Sequence, residues 1–338
     1  MRTQPLAART GHSRPGVVKT EIVVIIVIVV VFGALLLVCG FGAIMLPALG
    51  KARASARQLK DSVQVRAIEQ AMIVWASNNK GKYPLPSDLD TANDTVADLG
   101  NAKDTTGNII SLMIFNGNIS PEICISPAEA NAAIQLDNAF EYANPKAAVK
   151  PASALWNPAF RGTPADAPRG GISGIGHQSY AHLPPLGQRL KKWQDTYNST
   201  EAVFGNRGPT YVANDQAPSS RAWKLLPGAT GTSSVTLLIH GGRSTWEGNI
   251  AYNDNHVNFE TTPAPSWIGL PIGPPAPPKN RSPLAPDNLF VNETDEYIPP
   301  PNPDEAGTPL VIGDQRQNAY LRPISSIAAP GTPSPWRD

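Results

Sequence analysis

From Ile22 to Leu49 the chain carries no charged residue, and only Gly33, Cys39, Gly40, Gly42 and Pro47 interrupt the large aliphatic side chains. A segment that is apolar on every side has no face to give to water, so the pattern predicts a membrane-spanning helix, not the surface helix of a soluble domain. At about 1.5 Å per residue it reaches about 42 Å, more than the hydrocarbon core of about 30 Å. The run is about twice the usual length of the apolar region of a cleavable signal peptide, and no clear small-x-small cleavage site ends it. The prediction is a retained anchor.

Past Pro47 the pattern changes. In "KARASARQLKDSVQVRAIEQAMIVWASNNKGKYP", Leu59, Val63, Ala67, Ala71 and Val74 recur at three- and four-residue steps, with Ile68, Met72 and Trp75 widening the stripe. This predicts a helix that continues the anchor, kinks at Pro47 and lays its apolar stripe on a globular domain. Asn78, Asn79, Gly81 and Pro84 end it. Further on, "NIISLMIFNG" and "PEICIS" predict short buried segments, and "PAEANAAIQLDNAFEYA" predicts a helix. Residues 145–190 predict loops. "SSVTLLIHGG" and "GNIAYNDNHVNFE" predict paired strands, the second folded on itself at Asn253-Asp254-Asn255, where Asn and Asp tolerate the left-handed conformation. From Pro263 onward, "PIGPPAPPKNRSP" and "YIPPPNPDEAG" lack ladder donors. They predict extended polyproline or coil that adds little to the core.

Charge narrows the partners. Lysine plus arginine number 28 and aspartate plus glutamate 27 among 338 residues, so no basic field for nucleic acid is expected. Arg2, Arg9, Arg14 and Lys19 precede the apolar run and Lys51, Arg53, Arg57 and Lys60 follow it, which leaves the orientation by flanking charge a tie. The two cysteines, Cys39 inside the run and Cys124 far outside it, form no framework and no zinc-type spacing.

One residue disturbs the apolar pattern. Glu21 stands at the mouth of the run, five residues after Gly16, where a carboxylate costs a few kcal/mol. Gly16, Val17, Glu21, the apolar helix and the Ala-rich basic exit "LPALGKARASARQLKD" together resemble the N-terminus of type IV pilin-like proteins, the prepilin-type or pseudopilin subunits. "PEICISP", "SYAHLPPLG" and "HGGRSTWEGNIAYNDNHVNF" are similar to elements of the planctomycete-type families of that group, with Asn255 in place of a usual glycine. The resemblance implies a leader over 1–16 cut after Gly16 by a prepilin peptidase, and methylation of Val17. It also implies pairing of Glu21 with the freed α-amine of a neighbouring subunit. Three features depart from the family pattern: Val17 replaces phenylalanine, Lys19 occupies an apolar position, and the apolar run is longer. A rival role for Glu21 is to cap the first turn of the anchor, where the helix dipole favours an anion.

The expected architecture is therefore α+β. A transmembrane helix over 17–50 continues as an amphipathic helix over 51–80 into a small antiparallel-sheet ectodomain over 81–262, followed by a proline-rich irregular tail over 263–338. The expected role is a structural subunit of a pilus-like or type II secretion-like filament, not an enzyme. Its place is the cytoplasmic membrane, with the C-terminal domain outside, and its partners are the peptidase, other pilin-like subunits and membrane lipid. The alternative is an uncleaved single-pass protein whose ectodomain binds a ligand or partner. His240, His256 and Asp254 are candidates for facing one another across the hairpin. Paired polar groups closing the turn are the plainer reading, and a metal site the sharper one. Calcium, through the oxygens of residues 253–255, is the one cofactor weighed. The glycine-rich "RGGISGIGH" fits no catalytic or phosphate motif and reads as a loop.

Overall fold

The computed structural model describes residues 17–170, 173–213, 223–271, 284–292, 318–328 and 331–338. The chain divides into two compact units, Met1–Ser55 and Ala56–Asp338. Helix α1, Val17–Asn78, is 62 residues long and contributes to both; the assignment runs on through Pro47. In the first unit the aliphatic side chains from Ile22 to Phe32 and from Leu35 to Leu37 are each more than half exposed. Thr20–Leu37 is the stretch among the described residues long and apolar enough to cross a membrane.

In the second unit α1 supplies a wall of the main core. Val65, Ile68, Met72 and Ala76 are fully buried there, in the same cluster as Ile109, Ile110, Met113 and Ile114 of α3, Thr106–Phe115. The expected stripe is displaced: Leu59, Val63 and Val74 stay 68%, 60% and 51% exposed. The buried face includes Asp61, Gln64 and Glu69, polar residues that a count of apolar positions assigns to water. A short helix α2, Pro86–Leu89, lies between α1 and α3.

A four-stranded antiparallel sheet forms the other wall, in the order β1-β2-β5-β6: Tyr180–His182, Ala202–Asn206, Gly248–Tyr252 and Val257–Glu260. Tyr180 pairs with Asn206, Ala202 with Tyr252 and Gly248 with Glu260. The β5–β6 hairpin is where the alternation placed it, and Asn255 holds a positive φ of 65° in its turn. Three two-stranded antiparallel pairs complete the described sheets: β3–β4 (Tyr211–Ala213, Trp223–Leu225), β7–β8 (Gly269–Pro271, Leu284–Pro286) and β9–β10 (Ile324–Ala328, Thr332–Pro335). The chain is thus an N-terminal apolar helix and antiparallel sheets in a mixed helix-and-sheet fold.

Three element assignments need correction. Residues 145–190 are not all loop, because β1, Tyr180–His182, lies within them and pairs with β2. "SSVTLLIHGG" is not a strand but a 3-10 turn, Val235–Leu238, whose Ser234 hydroxyl accepts from the Thr236 N–H at 3.2 Å. Strand β5 is paired on both sides, with β2 and β6, so it offers no edge to that segment. "PAEANAAIQLDNAFEYA" is not helical either. Asn131 and Asp137 each accept from the N–H two residues on, at 2.9 Å, and such local bonds compete with a helix.

The late segments do not hang outside the core. Leu289, Phe290, Val291 and Leu321 belong to the main cluster and are at most 1% exposed. Prolines interrupt ladders, but the short apolar runs between them still bury side chains. Gly208 makes room for the Phe290 ring, which lies edge-on to Trp246 at 4.7 Å. Buried arginines bind these segments down. Arg207 joins Glu129 at 2.9 Å and Asp338 at 2.8 Å, and Arg322 donates to the carbonyls of Gly208, Pro209 and Phe290. Much of the expected polyproline stretch (272–283 and 293–317) lies outside the described residues.

Candidate functional site

The residues named from sequence fall in separate places. Gly16 lies outside the described residues. Val17 is the first described residue of α1, and Glu21, four residues on, has an exposed side chain. His240, Asp254 and His256 do not converge. The segment carrying His240 is a turn, and it aims the imidazole at α1, where Nε2 meets Asp61 Oδ2 at 3.0 Å. Asp254 and His256 pair within the hairpin turn, and the His256 ring stacks on Tyr252 at 4.4 Å. These three side chains therefore form no joint metal site. Among the described residues no group of three or more His, Cys, Asp or Glu is arranged around a common point.

The densest chemistry lies on the buried side of α1, which the sequence reading passed over. Asp61 and Glu69 are both fully buried. Around Asp61, Tyr180 donates its hydroxyl to Oδ1 at 2.9 Å and Asn249 its amide to Oδ2 at 2.8 Å. The Ser126 hydroxyl also donates to Oδ1 and His240 completes the set. Burial alone pushes this carboxyl up, but the bonds from His240, Ser126 and Asn249, with the attraction of His240, hold it below the usual range. Four donors from four distant segments make an ionised carboxylate here the fastening point of α1.

Glu69 sits two turns later in the opposite situation. Among the described residues Tyr83 is its one hydrogen-bond neighbour, at 2.9 Å from Oε1, and Oε2 has none. Burial, then the repulsion of Asp195 and Asp254, push its carboxyl up to about 8, against the opposing pull of the Tyr83 bond. The Tyr83 hydroxyl oxygen also lies 2.7 Å from Asn253 Oδ1, which ties α1 to the β5–β6 turn. One sequence signal pointed to both residues: an acid in phase with apolar neighbours, the same irregularity that singled out Glu21.

A cleft of about 360 Å³ opens beside Leu85, Ser87, Asp104, Leu190 and Trp193. Asp104 on its wall is pushed up to about 7 by burial, although Ser87 donates both its N–H and its hydroxyl to it, at 2.8 and 2.7 Å. These groups make a polar corner of the fold beside the cleft.

No protein-family model, curated protein or solved structure matches the chain.

Proposed function

We infer that the chain is a membrane-anchored, pilin-like structural subunit that associates with further copies or related subunits through its N-terminal helix. The observation that carries this reading is α1 itself. It carries Glu21 at the edge of the apolar run, exposes aliphatic side chains through Leu37, and supplies Val65 to Ala76 to a domain core. In a helix that only anchored a domain, an acid there would serve at most to cap its first turn. An acid that meets the freed α-amine of a neighbour has a further use, because a charge pair in low dielectric is favoured when both partners are present and well placed.

The exposed line Leu59, Val63 and Val74 adds support, since it gives the domain-borne part of α1 an apolar surface not used by its own core. On this reading a prepilin peptidase removes residues 1–16, the anchor lies in the cytoplasmic membrane and the domain lies outside it. Glu21→Ala tests the pairing. The variant should insert at least as readily, since an acid in the apolar phase costs about 3 kcal/mol, and it should fold its domain normally. Cross-linking between copies in the membrane should fall. Undiminished cross-linking would leave Glu21 a helix-end residue and favour the plain single-pass anchor.

A further inference from the structure

Proton counting around Tyr83 fixes the state of Glu69. The hydroxyl oxygen of Tyr83 lies 2.9 Å from Glu69 Oε1 and 2.7 Å from Asn253 Oδ1. A phenol has one proton to give and two neighbours that accept. The Asn253 amide cannot be turned to supply a second, because its NH₂ donates to the carbonyl of Gln194 at 2.9 Å and to Glu201 Oε2 at 3.1 Å. Its Oδ1 meanwhile accepts the Thr196 N–H at 3.0 Å. The missing proton therefore belongs to Glu69, which donates from Oε1 to the tyrosine, while the tyrosine donates to Asn253. At Asp61 both oxygens have hydrogen-bond partners besides Tyr180, Ser126 on Oδ1 and Asn249 and His240 on Oδ2, so no proton is needed there. This holds even though the Tyr180 hydroxyl lies 2.9 Å from Oδ1 and 3.3 Å from Gln64 Oε1.

We propose that Glu69 is a proton-holding site, and that its neutral acid fastens α1 to the 193–196 segment and the β5–β6 turn through Tyr83 and Asn253. The surroundings agree. Asp195 and Asp254 repel a charge on the carboxyl, Glu201 accepts from Asn253, and Lys192 pairs with Glu201 and His256 with Asp254. Loss of the proton sets Glu69 against this acidic surround and leaves Tyr83 one hydrogen for two acceptors. The junction it weakens is defined by the bonds Tyr83 N–H to Trp193 O, Asp195 N–H to Gly81 O and Asn253 N–H to Glu201 O. This follows from the domain's own hydrogen bonds and stands whether or not the chain assembles as a pilin-like subunit.

The direction follows from the raised value. The folded state keeps its proton up to about pH 8, while the released carboxyl loses it near the ordinary glutamate value of about 4.3. The fastening is complete below the lower value, and opening of the junction grows about tenfold per pH unit between the two, then levels off. The test uses the full chain in detergent with ¹³C-labelled glutamate carboxyls. The Glu69 resonance, assigned by its absence in Glu69→Gln, should stay at the neutral-acid position at pH 6.5 and titrate near pH 8. Hydrogen exchange at Tyr83, Asp195 and Asn253, corrected for intrinsic rates, should speed up from pH 5 to 8 in the wild type. It should stay flat in Glu69→Gln, whose amide donates to Tyr83 at every pH. A carboxylate resonance at pH 6.5, or equal pH slopes in both proteins, would overturn the proposal. If Glu69→Gln does not fold, a shift of one neutral-acid resonance on Tyr83→Phe, which removes the hydrogen-bond neighbour of Glu69, identifies it, and the wild-type titration decides alone.

Discussion

Asp61 on α1 and His240, 179 residues further along the chain, meet at 3.0 Å, both all but removed from solvent. Asp61→Ala removes the shared acceptor of Ser126, Tyr180, His240 and Asn249 together. Breaking such a buried charged group costs about 3–5 kcal/mol, a large part of an ordinary domain stability of about 5–15 kcal/mol. Denaturant unfolding should show that loss. Lys82→Ala, which breaks the Lys82–Asp88 pair exposed at both ends, should change stability by less than about 1 kcal/mol. Equal small effects would mean that the Asp61 network does not hold α1.

Three further buried acids set a pH dependence. Burial pushes Asp104 and Asp287 up to about 7 and Asp166 up to about 6. Each binds a proton more tightly folded than unfolded, so its contribution is full below about pH 4 and is lost as pH rises to 6 or 7. His182, pulled down to about 4 by burial, works the other way, since it resists the charge it gains on unfolding. Asp61, held low, contributes above about pH 4 and loses that contribution as pH falls further. These three acids, with Glu69, outweigh one histidine. The melting temperature should be highest near about pH 4 and fall toward pH 8; a rising melt from pH 5 to 8 would contradict this balance.

Deleting everything after Pro263 should unfold the domain. The deletion removes Leu289, Phe290, Val291 and Leu321 from the core and Asp338 from Arg207. Phe290→Ala alone should cost about 3–5 kcal/mol, measured by thermal unfolding. A truncated protein that melts like the full chain would restore the view of these residues as an external tail.

Within the hairpin, position decides the cost of a charge. Ile250 is fully buried, whereas Val257 is only partly so. Ile250→Asp should abolish folding, since it strands a carboxylate in the core. Val257→Asp, whose charge can reach water, should give a folded but weakened domain. Circular dichroism melts of the two variants separate these outcomes.

The local pattern carried as far as local rules reach. The apolar helix was legible because nothing polar interrupts Ile22–Leu49, and the β5–β6 hairpin because alternation and the Asn-Asp-Asn turn agree. The buried face of α1 was not, because Asp61 and Glu69 find their partners at Ser126, Tyr180, His240, Asn249 and Tyr83, distances in sequence that no helical period encodes. His240 was noticed for its chemistry but assigned to the wrong neighbour for the same reason. The late segments misled in a different way. Proline density indicates where ladders stop, not whether Phe290 or Leu321 between the prolines finds a core.

The N-terminal residue of the native protein, read by sequencing or intact mass of the membrane fraction, tests the pilin-like reading most directly. Val17 should come first, carrying a methyl group on its amine, and a substitution of Gly16 should leave the precursor uncut. A mature protein that still begins at Met1, or at a site remote from Val17, would contradict it and leave an uncleaved single-pass anchor.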